Sequence, residues 1–517
     1  MNVTALNLQR LLPGVDFCAH SATGTGTPSV DPVDLFVNGV TADSRQVRPG
    51  DVFVAVRGTQ SDGHAHIGDA VANGAVAVVV QQAQSNIPVP QYVVPCSATA
   101  FAKMTMTVHV GHRCPIVNVG ITGTNGKTTT SWMLRSMMQA AGLRTGLIGT
   151  IESSDGVSSS VSTMTTPSAD ALAVHLKTLM QQQATHNVME ISSHALVQKR
   201  CEGIRLSAAA ITNITQDHFD YHGTADAYRA AKAQIAGLLH PDAPLLLNMD
   251  DPGCQFLLDR MVGSAAIISY GIQHPDAELR ASLLHRTHRS QRLRLHLAQG
   301  DAEVRLRLIG QHNVSNSLVA AGLAEQLGIR IRDIVEGLES LHNVPGRLER
   351  IDEGQAFQVL VDYAHTTDAL ERCLATIREY VPGRLICVFG AGGNRDQSKR
   401  PMMAEAAAAA DLCIVTSDNP RNEDPQQIIA QITAGFPRGT QFTTRTDRRE
   451  AIALAFELAE AGDVVLLAGK GHESIQEIGR QQLPFDDRVV ARELLRPLSG
   501  SRTLHELSTA CALNRSA

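Results

Sequence analysis

Several things are scarce in this chain. No basic run of five or more residues occurs, and with Lys plus Arg at 45 against Asp plus Glu at 51 the formal charge is -6. Charges of both signs are interspersed, which leaves no electrostatic footprint for nucleic acid and points to small-molecule partners. No apolar run approaches the roughly 18 residues needed to span a bilayer. The opening MNVTALNLQRLLPGVDF lacks the basic start and apolar core of a signal peptide, so a cytoplasmic protein with no membrane partner is expected. The nine cysteines (Cys18, Cys96, Cys114, Cys201, Cys254, Cys373, Cys387, Cys413, Cys511) show neither CxxC nor zinc-type Cys/His spacing; they read as reduced, mostly buried, small apolar residues. Aromatics make up only 4%, yet 43% of the 517 residues are hydrophobic. That is too long a chain for one core and apolar enough for several, so three domains are expected.

Three zones separate by pattern. Residues 1–112 carry short β-branched runs, Val52 to Val56 and Ala75 to Val80, between Gly and Asp punctuation, which suggests a compact α/β accessory domain. Residues 113–342 open with a buried-strand pattern, Ile116 to Ile121, then a Gly-rich turn and a helical stretch from Lys127 to about Ala141 closed by Gly142. Further apolar runs end at Glu190 and near Asn213; strand alternating with helix favours a mostly parallel sheet. In residues 343–496 four apolar runs end in polar or glycine-rich tails: QVLVDYAH, LICVFGAGGNRD, LCIVTSDNPR and DVVLLAGKGHE. Ligands of open α/β sheets bind beyond the strands' carboxyl ends, so those tails are the expected binding surface. Residues 497–517 carry no motif and read as a peripheral tail.

The strongest local signal is GITGTNGKTTT, Gly120 to Thr130, placed after a strand and opening a helix. Backbone N–H groups of Gly123, Thr124, Asn125, Gly126 and Thr129 with the positive helix end can cradle phosphates. Lys127 can neutralise them and the Thr128 hydroxyl can ligate magnesium. The spacing departs from the strict GxxxxGK(S/T) pattern, which would need glycine at Ile121. Glu190, at the end of an apolar run, can hold a metal; downstream come Asp217, His218 and His222, and Lys232 inside a helical pattern. Taken singly, His218 reads as a turn histidine and Lys232 as a solvated helix lysine; their order after a phosphate loop is what draws attention.

Together GTNGKTTT, MEISSHALVQKR, DHFDYHGTADAYRAAK, HNVSNSLVAA, DYAHTTDAL, DNPRNEDP and AGKGHE resemble the Mur ligase superfamily, in order and over nearly the whole chain; the DNPR and AGKGHE elements are similar to its diaminopimelate-adding members. The resemblance implies three α/β domains: an N-terminal UDP-binding domain, a central P-loop ATPase with a mostly parallel sheet, and a C-terminal Rossmann-like domain. It implies ATP and Mg2+ as cofactors, UDP-N-acetylmuramoyl-L-alanyl-D-glutamate and meso-diaminopimelate as substrates, and a monomer. By the same resemblance Lys127 and Thr128 handle phosphates and the first magnesium, Glu190 adds a ligand, and His218 with a carbamylated Lys232 belongs to a second magnesium. A carbamate supplies the hard anionic oxygen that an ammonium cannot.

The resemblance further assigns nucleotide contacts to Asn313, Asn316, Arg347 and Asp362, the asparagines alternatively capping a helix start. It places muramoyl-dipeptide contacts at Thr165, Thr166, Ser192, Gln198 and Arg200, with Met164 standing where a relative carries asparagine. Uridine-nucleotide contacts fall at Ala42, Ser44, Thr59, Gln60 and Ser61, which are ordinary loop residues by composition. Diaminopimelate would be read by Arg395, Asp418, Asn419, Pro420, Arg421, Gly469 and Glu473: Arg421, helped by Arg395, forks onto the distal carboxylate, and Glu473 partners the ammonium. Lysine has no such carboxylate and is expected to be rejected. Ala391, Asn394, Ser398 and Thr367 depart from the family pattern and are expected to be loop variation, since Arg395, Lys399, Asp362 and His365 are all kept. Competing readings are another ligase of the superfamily, lysine-adding or folylpolyglutamate synthetase-like, which would lack the DNPR and AGKGHE pair, and a nucleotide-gated binding protein that forms no bond.

Overall fold

The computed structural model describes residues 6–11, 18–20, 35–58, 61–215, 219–261, 265–380 and 383–496. It divides into two compact units: Met1–Ala281, Leu295–Ala302 and Ser315–Gly337 form the first; Ser282–Arg294, Glu303–Val314 and Leu338–Ala517 form the second.

Among the described residues the first unit contains two larger sheets and a two-stranded antiparallel ribbon, Leu6–Asn7 with Phe36–Val37. Strands β1 (Cys18–His20), β2 (Val40–Thr41), β3 (Val52–Val54), β4 (Ala77–Val80) and β5 (Gln91–Val93) line up in the order β1-β5-β4-β3-β2, with β1 antiparallel and the rest parallel. Strands β3 and β4 are buried at every residue, because a parallel sheet is covered on both faces; hence the unbroken apolar runs seen in the sequence.

The second sheet is built around β6 (Val117–Thr122). β7 (Thr145–Ile148), β10 (His186–Glu190), β6, β11 (Leu206–Ile211), β12 (Pro244–Asn248) and β13 (Ala266–Gly271) run parallel in that spatial order, and an antiparallel ribbon, β8 (Glu152–Ser154) and β9 (Ser159–Val161), extends the β7 edge. Register pairs Glu190 with Ile121 and Ile211 with Thr122. Three strands therefore end at one level, and the loops leaving β6, β10 and β11 are brought to a common edge. The sequence-predicted helix is α1, Lys127–Ala140, one residue short of expectation, with Gly142 in the left-handed region at φ 77°. Met133, Leu134, Met137 and Met138 are buried at helical spacing along it.

The second unit repeats the logic. β18 (Gln358–Asp362), β19 (Leu385–Phe389), β20 (Leu412–Val415), β21 (Phe442–Thr444) and β22 (Val464–Ala468) are parallel in the order β18-β22-β19-β20-β21, and β17 (Glu349–Ile351) closes the β18 edge antiparallel. Three strands, β14 (Leu279–Arg286), β15 (Gln291–Leu297) and β16 (Gly300–Leu306), fall where the chain passes between the units. Asp362 is level with Ala468, and Phe389 with Val415, so the four polar tails expected to bind ligand share one edge. Beneath that edge, Arg448 and Asp487 form a fully buried pair: Arg448 Nε donates to Asp487 Oδ1 at 2.8 Å and Nη2 to Oδ2 at 2.7 Å. Nη2 also reaches the Ala468 carbonyl at 2.9 Å. Burial alone would lower the Arg448 guanidinium, and the Asp487 carboxylate more than offsets it, so the net shift is upward.

Seven cysteines are free among the described residues and five of them are buried; burial pushes the Cys201 and Cys413 thiols up to about 12. The five buried ones are small apolar core fillers, as the sequence suggested. Among the described residues no helix is long and apolar enough to cross a membrane.

Asp487→Ala leaves a guanidinium buried without its anion, and removing one partner of such a pair costs about 3–5 kcal/mol. The expected result is a lower denaturant midpoint for the transition of the second unit, read by urea titration, while Arg448→Met with Asp487→Leu together recovers much of the loss.

Candidate active site

Glycines with nowhere to put a side chain shape the end of β6 and the loop between it and α1. At Gly120 a Cβ would meet Leu206 Cδ1 at 2.7 Å and Ile191 Cδ1 at 3.0 Å; at Gly123 (φ 147°) it would fall on Thr212 Oγ1, and at Gly126 (φ 86°) on Asn316 Oδ1. Gly123 and Gly126 both need backbone conformations that disfavour other residues. Residues just beyond β11 brace the loop. Thr124 N–H donates to the Asn213 carbonyl at 2.8 Å, Asn125 N–H to Asn213 Oδ1 at 2.9 Å, and Thr212 Oγ1 to the Asn125 carbonyl at 2.6 Å. Lys127 Nζ folds onto the carbonyls of Gly123 and Thr124, both at 2.9 Å.

Glu190 ends β10 beside this loop and is wholly buried. Its Oε2 accepts from Thr128 Oγ1 at 2.9 Å and from Thr150 Oγ1 at 2.9 Å, its Oε1 from the Thr150 N–H at 3.0 Å, and Ser131 Oγ lies 3.4 Å from Oε1. A buried carboxylate is costly unless its oxygens are saturated, and here three hydroxyls and one backbone N–H do so. Gly149 makes room, since a Cβ there would strike Glu190 Oε1. Thr150 Oγ1 is also 3.1 Å from Thr165 Oγ1. Next to it Thr166 Oγ1 donates to the Glu190 carbonyl at 2.9 Å and accepts from Ser192 N–H at 3.0 Å; Arg200 Nη1 donates to the Thr166 carbonyl at 2.7 Å and Nε to Gln198 Oε1 at 3.0 Å. All five residues expected to touch the muramoyl dipeptide thus share one network with the phosphate loop. Met164, given no contact by the sequence, sits with its sulfur 3.8 Å from Arg200 Nη1.

Lys232 lies in α2 (Ala225–Ala233), with 1% exposure, and its Nζ is 4.5 Å from the Tyr228 ring centre; the solvated helix lysine that its residue type alone suggests is not what forms. Asn316 is no helix cap either. It lies inside α3 (Gln311–Gln326), buried, within 3.4 Å of Thr130 Oγ1. Asn313 bonds back to the Ile309 carbonyl at 2.7 Å, also inside the helix. Ala42 and Ser44 stand at the end of β2, where Ser44 opens a short 3-10 turn and its carbonyl accepts from Asn73; Ser61 Oγ is 3.1 Å from His66 Nε2. Thr59, Gln60, Asp217 and His218 lie outside the described residues.

A buried carboxylate and a hydroxyl are hard oxygen donors, so Glu190 and Thr128 fit magnesium, which takes one or two protein oxygens and completes its shell with water and phosphate. Lys232 fits only after conversion to an anionic oxygen donor.

In the second unit Asp418, Asn419, Gly469 and Glu473 converge. Asn419 Nδ2 donates to Glu473 Oε2 at 2.9 Å, and the wholly buried Lys470 Nζ donates to Ile475 O (2.6 Å), Glu473 Oε2 (3.2 Å) and Asn419 Oδ1 (3.3 Å). Gly469, at φ 113°, passes so close to Asp418 that a Cβ would lie 2.6 Å from Oδ2. Arg421 follows Pro420 with φ 50° and donates from Nη1 to the Gly393 carbonyl at 2.9 Å. Arg395 is exposed on the facing loop, its Cγ 3.7 Å from a Cβ placed on Gly392. Asp362 Oδ2 accepts from Leu348 N–H at 2.7 Å, and burial pushes its carboxyl up while the Arg347 guanidinium pulls it back. The four departures are accommodated: Asn394 takes φ 54°, which asparagine tolerates, and its N–H donates to Glu423. Ser398 Oγ bonds Asp396, Ala391 is buried, and Thr367 is the first residue of α4 (Thr367–Tyr380).

Residues 36–106 match the Mur ligase family catalytic domain, 121–324 the Mur ligase middle domain and 346–471 the Mur ligase glutamate ligase domain. The chain belongs to the Mur ligase family. Among its curated relatives, the UDP-N-acetylmuramoyl-L-alanyl-D-glutamate–2,6-diaminopimelate ligase of Syntrophomonas wolfei is 41% identical over 475 residues, 90% of this chain and 96% of the relative. That of Geobacillus thermodenitrificans is 41% identical over 498 residues, 94% and 99% of the two chains. A solved ligase of the same description is similar with a TM-score of 0.69 and 31% identity, over 96% of this chain and 99% of the other. The MurF ligase from Thermotoga maritima in complex with ADP shares the fold at a TM-score of 0.60 and 19% identity, over 90% and 98%.

Thr150 had no sequence signal, and it is the test of the Glu190 network. Thr150→Val is expected to lower ligase turnover about 10–100-fold, as loss of a support to a metal-holding carboxylate does, with little change in melting temperature. A second expectation concerns pH. Burial, then Arg347 and Arg488, push His472 down from 6.5 to about 4. Between those pH values the unfolded chain binds the proton that the folded one refuses, so His472 lowers stability as pH falls through that window. Thermal melts from pH 7 to 4 should show a shallower loss for His472→Gln than for the parent.

Proposed function

We propose that this protein uses ATP to join meso-2,6-diaminopimelate to the D-glutamate of UDP-N-acetylmuramoyl-L-alanyl-D-glutamate, a step of peptidoglycan precursor synthesis carried out in the cytoplasm. The observation that carries the reading is the Glu190 network: Thr150 Oγ1 touches both the Glu190 carboxylate and Thr165, so the phosphate loop and the residues assigned to the muramoyl dipeptide are one hydrogen-bonded body. A ligase of this kind must hold an acceptor carboxylate against a terminal phosphate, and a shared rigid frame supports that.

The D-glutamate γ-carboxylate attacks the terminal phosphorus of ATP and ADP departs, leaving an acyl phosphate. The amine of diaminopimelate then attacks the acyl carbon, phosphate leaves, and the amine's proton is lost. Gly123 to Thr129 cradle the phosphates with backbone N–H groups and the helix end, and Lys127 swings from its loop carbonyls to the transferring group. Thr128 and Glu190 would hold one magnesium, and His218 with a carbamylated Lys232 a second; bound there, the metal would supply charge to offset that on the phosphoryl oxygens. Asn313, Arg347 and Asp362 contact nucleotide, while Ala42, Ser44, Thr59, Gln60 and Ser61 contact the uridine end. Arg421 and Arg395 take the distal carboxylate of diaminopimelate, and Asp418, Asn419, Gly469 and Glu473 frame its ammonium. The domains on this reading are 1–112 for UDP, 113–342 for ATP and 343–496 for the amino acid, with 497–517 as a tail and the chain acting as a monomer.

The test is ADP release with ATP, the UDP-muramoyl dipeptide and either meso-diaminopimelate or L-lysine, with product mass recorded. Turnover with diaminopimelate, at least about 10³-fold over lysine in kcat/KM, and a mass gain of one residue is the expected outcome. Preference for lysine would remove the role given to Arg421; ADP release with no peptide product would point instead to a nucleotide-gated binder.

A further inference from the structure

Arg421 is held by an acid that its motif does not contain. Glu477 Oε2 lies 2.7 Å from Arg421 Nε. Glu477 sits on β23 (Ile475–Ile478), which pairs antiparallel with β24 (Gln481–Pro484). The hairpin also grips the Arg421 backbone: Arg421 N–H donates to the Glu477 carbonyl at 3.0 Å and Gly479 N–H to the Arg421 carbonyl at 2.7 Å. Glu477 N–H in turn donates to Asn419 Oδ1 at 3.0 Å. A left-handed φ of 50° at an arginine survives only where the surroundings over-determine it, and these three bonds do so.

We infer that Glu477 is a specificity-determining positioning residue, fixing Arg421 by its Nε edge so that the opposite edge of the guanidinium is offered to a carboxylate of the incoming amino acid. This rests on the assignment of diaminopimelate to this pocket. A guanidinium can present a carboxylate with two N–H groups from either Nη1 and Nη2 or Nε and Nη2. Here Glu477 occupies Nε and the Gly393 carbonyl takes one proton of Nη1. Among the described residues no hydrogen bond ends on Nη2, and Arg421 is about a quarter exposed, so the Nη1–Nη2 edge is the one left for ligand. Gly392 allows the arrangement, since a Cβ there would stand 3.0 Å from Arg421 Nη1. Glu477 also limits what the pocket attracts. It neutralises Arg421 in the empty pocket, so that a stray anion meets a weakened field and only a ligand matching the fork geometry is held well.

The experiment is steady-state kinetics of the full chain with Glu477→Ala, Glu477→Gln and the parent, varying diaminopimelate, ATP and the UDP-muramoyl dipeptide in turn, with L-lysine as competitor amine. For Glu477→Ala the expected result is a KM for diaminopimelate raised about 10-fold, kcat and the other two KM values within twofold, and weaker discrimination against lysine. Glu477→Gln, which keeps an acceptor beside Nε, is expected to recover part of the KM. An unchanged KM in both variants would reduce the pair to a surface contact, and a lowered KM would make Glu477 a competitor of the ligand; either overturns the inference. A parent enzyme that makes no product with diaminopimelate would instead fail the substrate assignment, which separates the two.

Discussion

Much of the first unit's order depends on one carboxylate placed where no solvent reaches it. Glu190 is fully buried at a strand end and survives there because Thr128, Thr150 and Ser131 surround it with hydroxyls. These hydroxyls come from two segments, so satisfying one acid fixes the start of α1, the turn after β7 and the end of β10 relative to each other. Thr165 and Thr166 join through Thr150 and the Glu190 carbonyl. The cost of burying a charge has been converted into positional order across the site.

The second unit solves a different problem in a similar way. On the proposed reading its strand edge discriminates a substrate with two amino-acid ends, and paired opposites are held beneath and beside that edge. Lys470 saturates all three of its N–H bonds on Ile475, Glu473 and Asn419, while Arg448 and Asp487 neutralise each other below Ala468. These pairs rigidify the tails of parallel strands that would otherwise be plain loops.

Much of this was legible beforehand. Parallel strands advertise themselves as unbroken apolar runs, so β6, β10, β18, β19, β20 and β22 fell within a residue or two of expectation, and the glycine loop lies between strand and helix as its spacing implied. Thr150, Lys470, Glu477 and the Arg448–Asp487 pair were not legible. Thr150 meets Glu190 forty residues away and Asp487 meets Arg448 thirty-nine away, and no local period encodes such meetings. Residue type alone offers a helix cap at Asn316 and a solvated lysine at Lys232; tertiary packing instead put a polar side chain against Gly126 and a lysine beside a tyrosine ring.

The brace that Asn316 provides has a consequence for synthesis on the ribosome. Gly126 and Asn316 are 190 positions apart, and residues up to 215 supply the rest of the loop's support. A nascent chain that has released the glycine loop and its helix must wait for most of the first unit before that loop is locked. Because long-range parallel pairings form late, an unfinished chain carries a phosphate loop without the frame that shapes it. The shape of that loop is thereby one of the last things the first unit acquires.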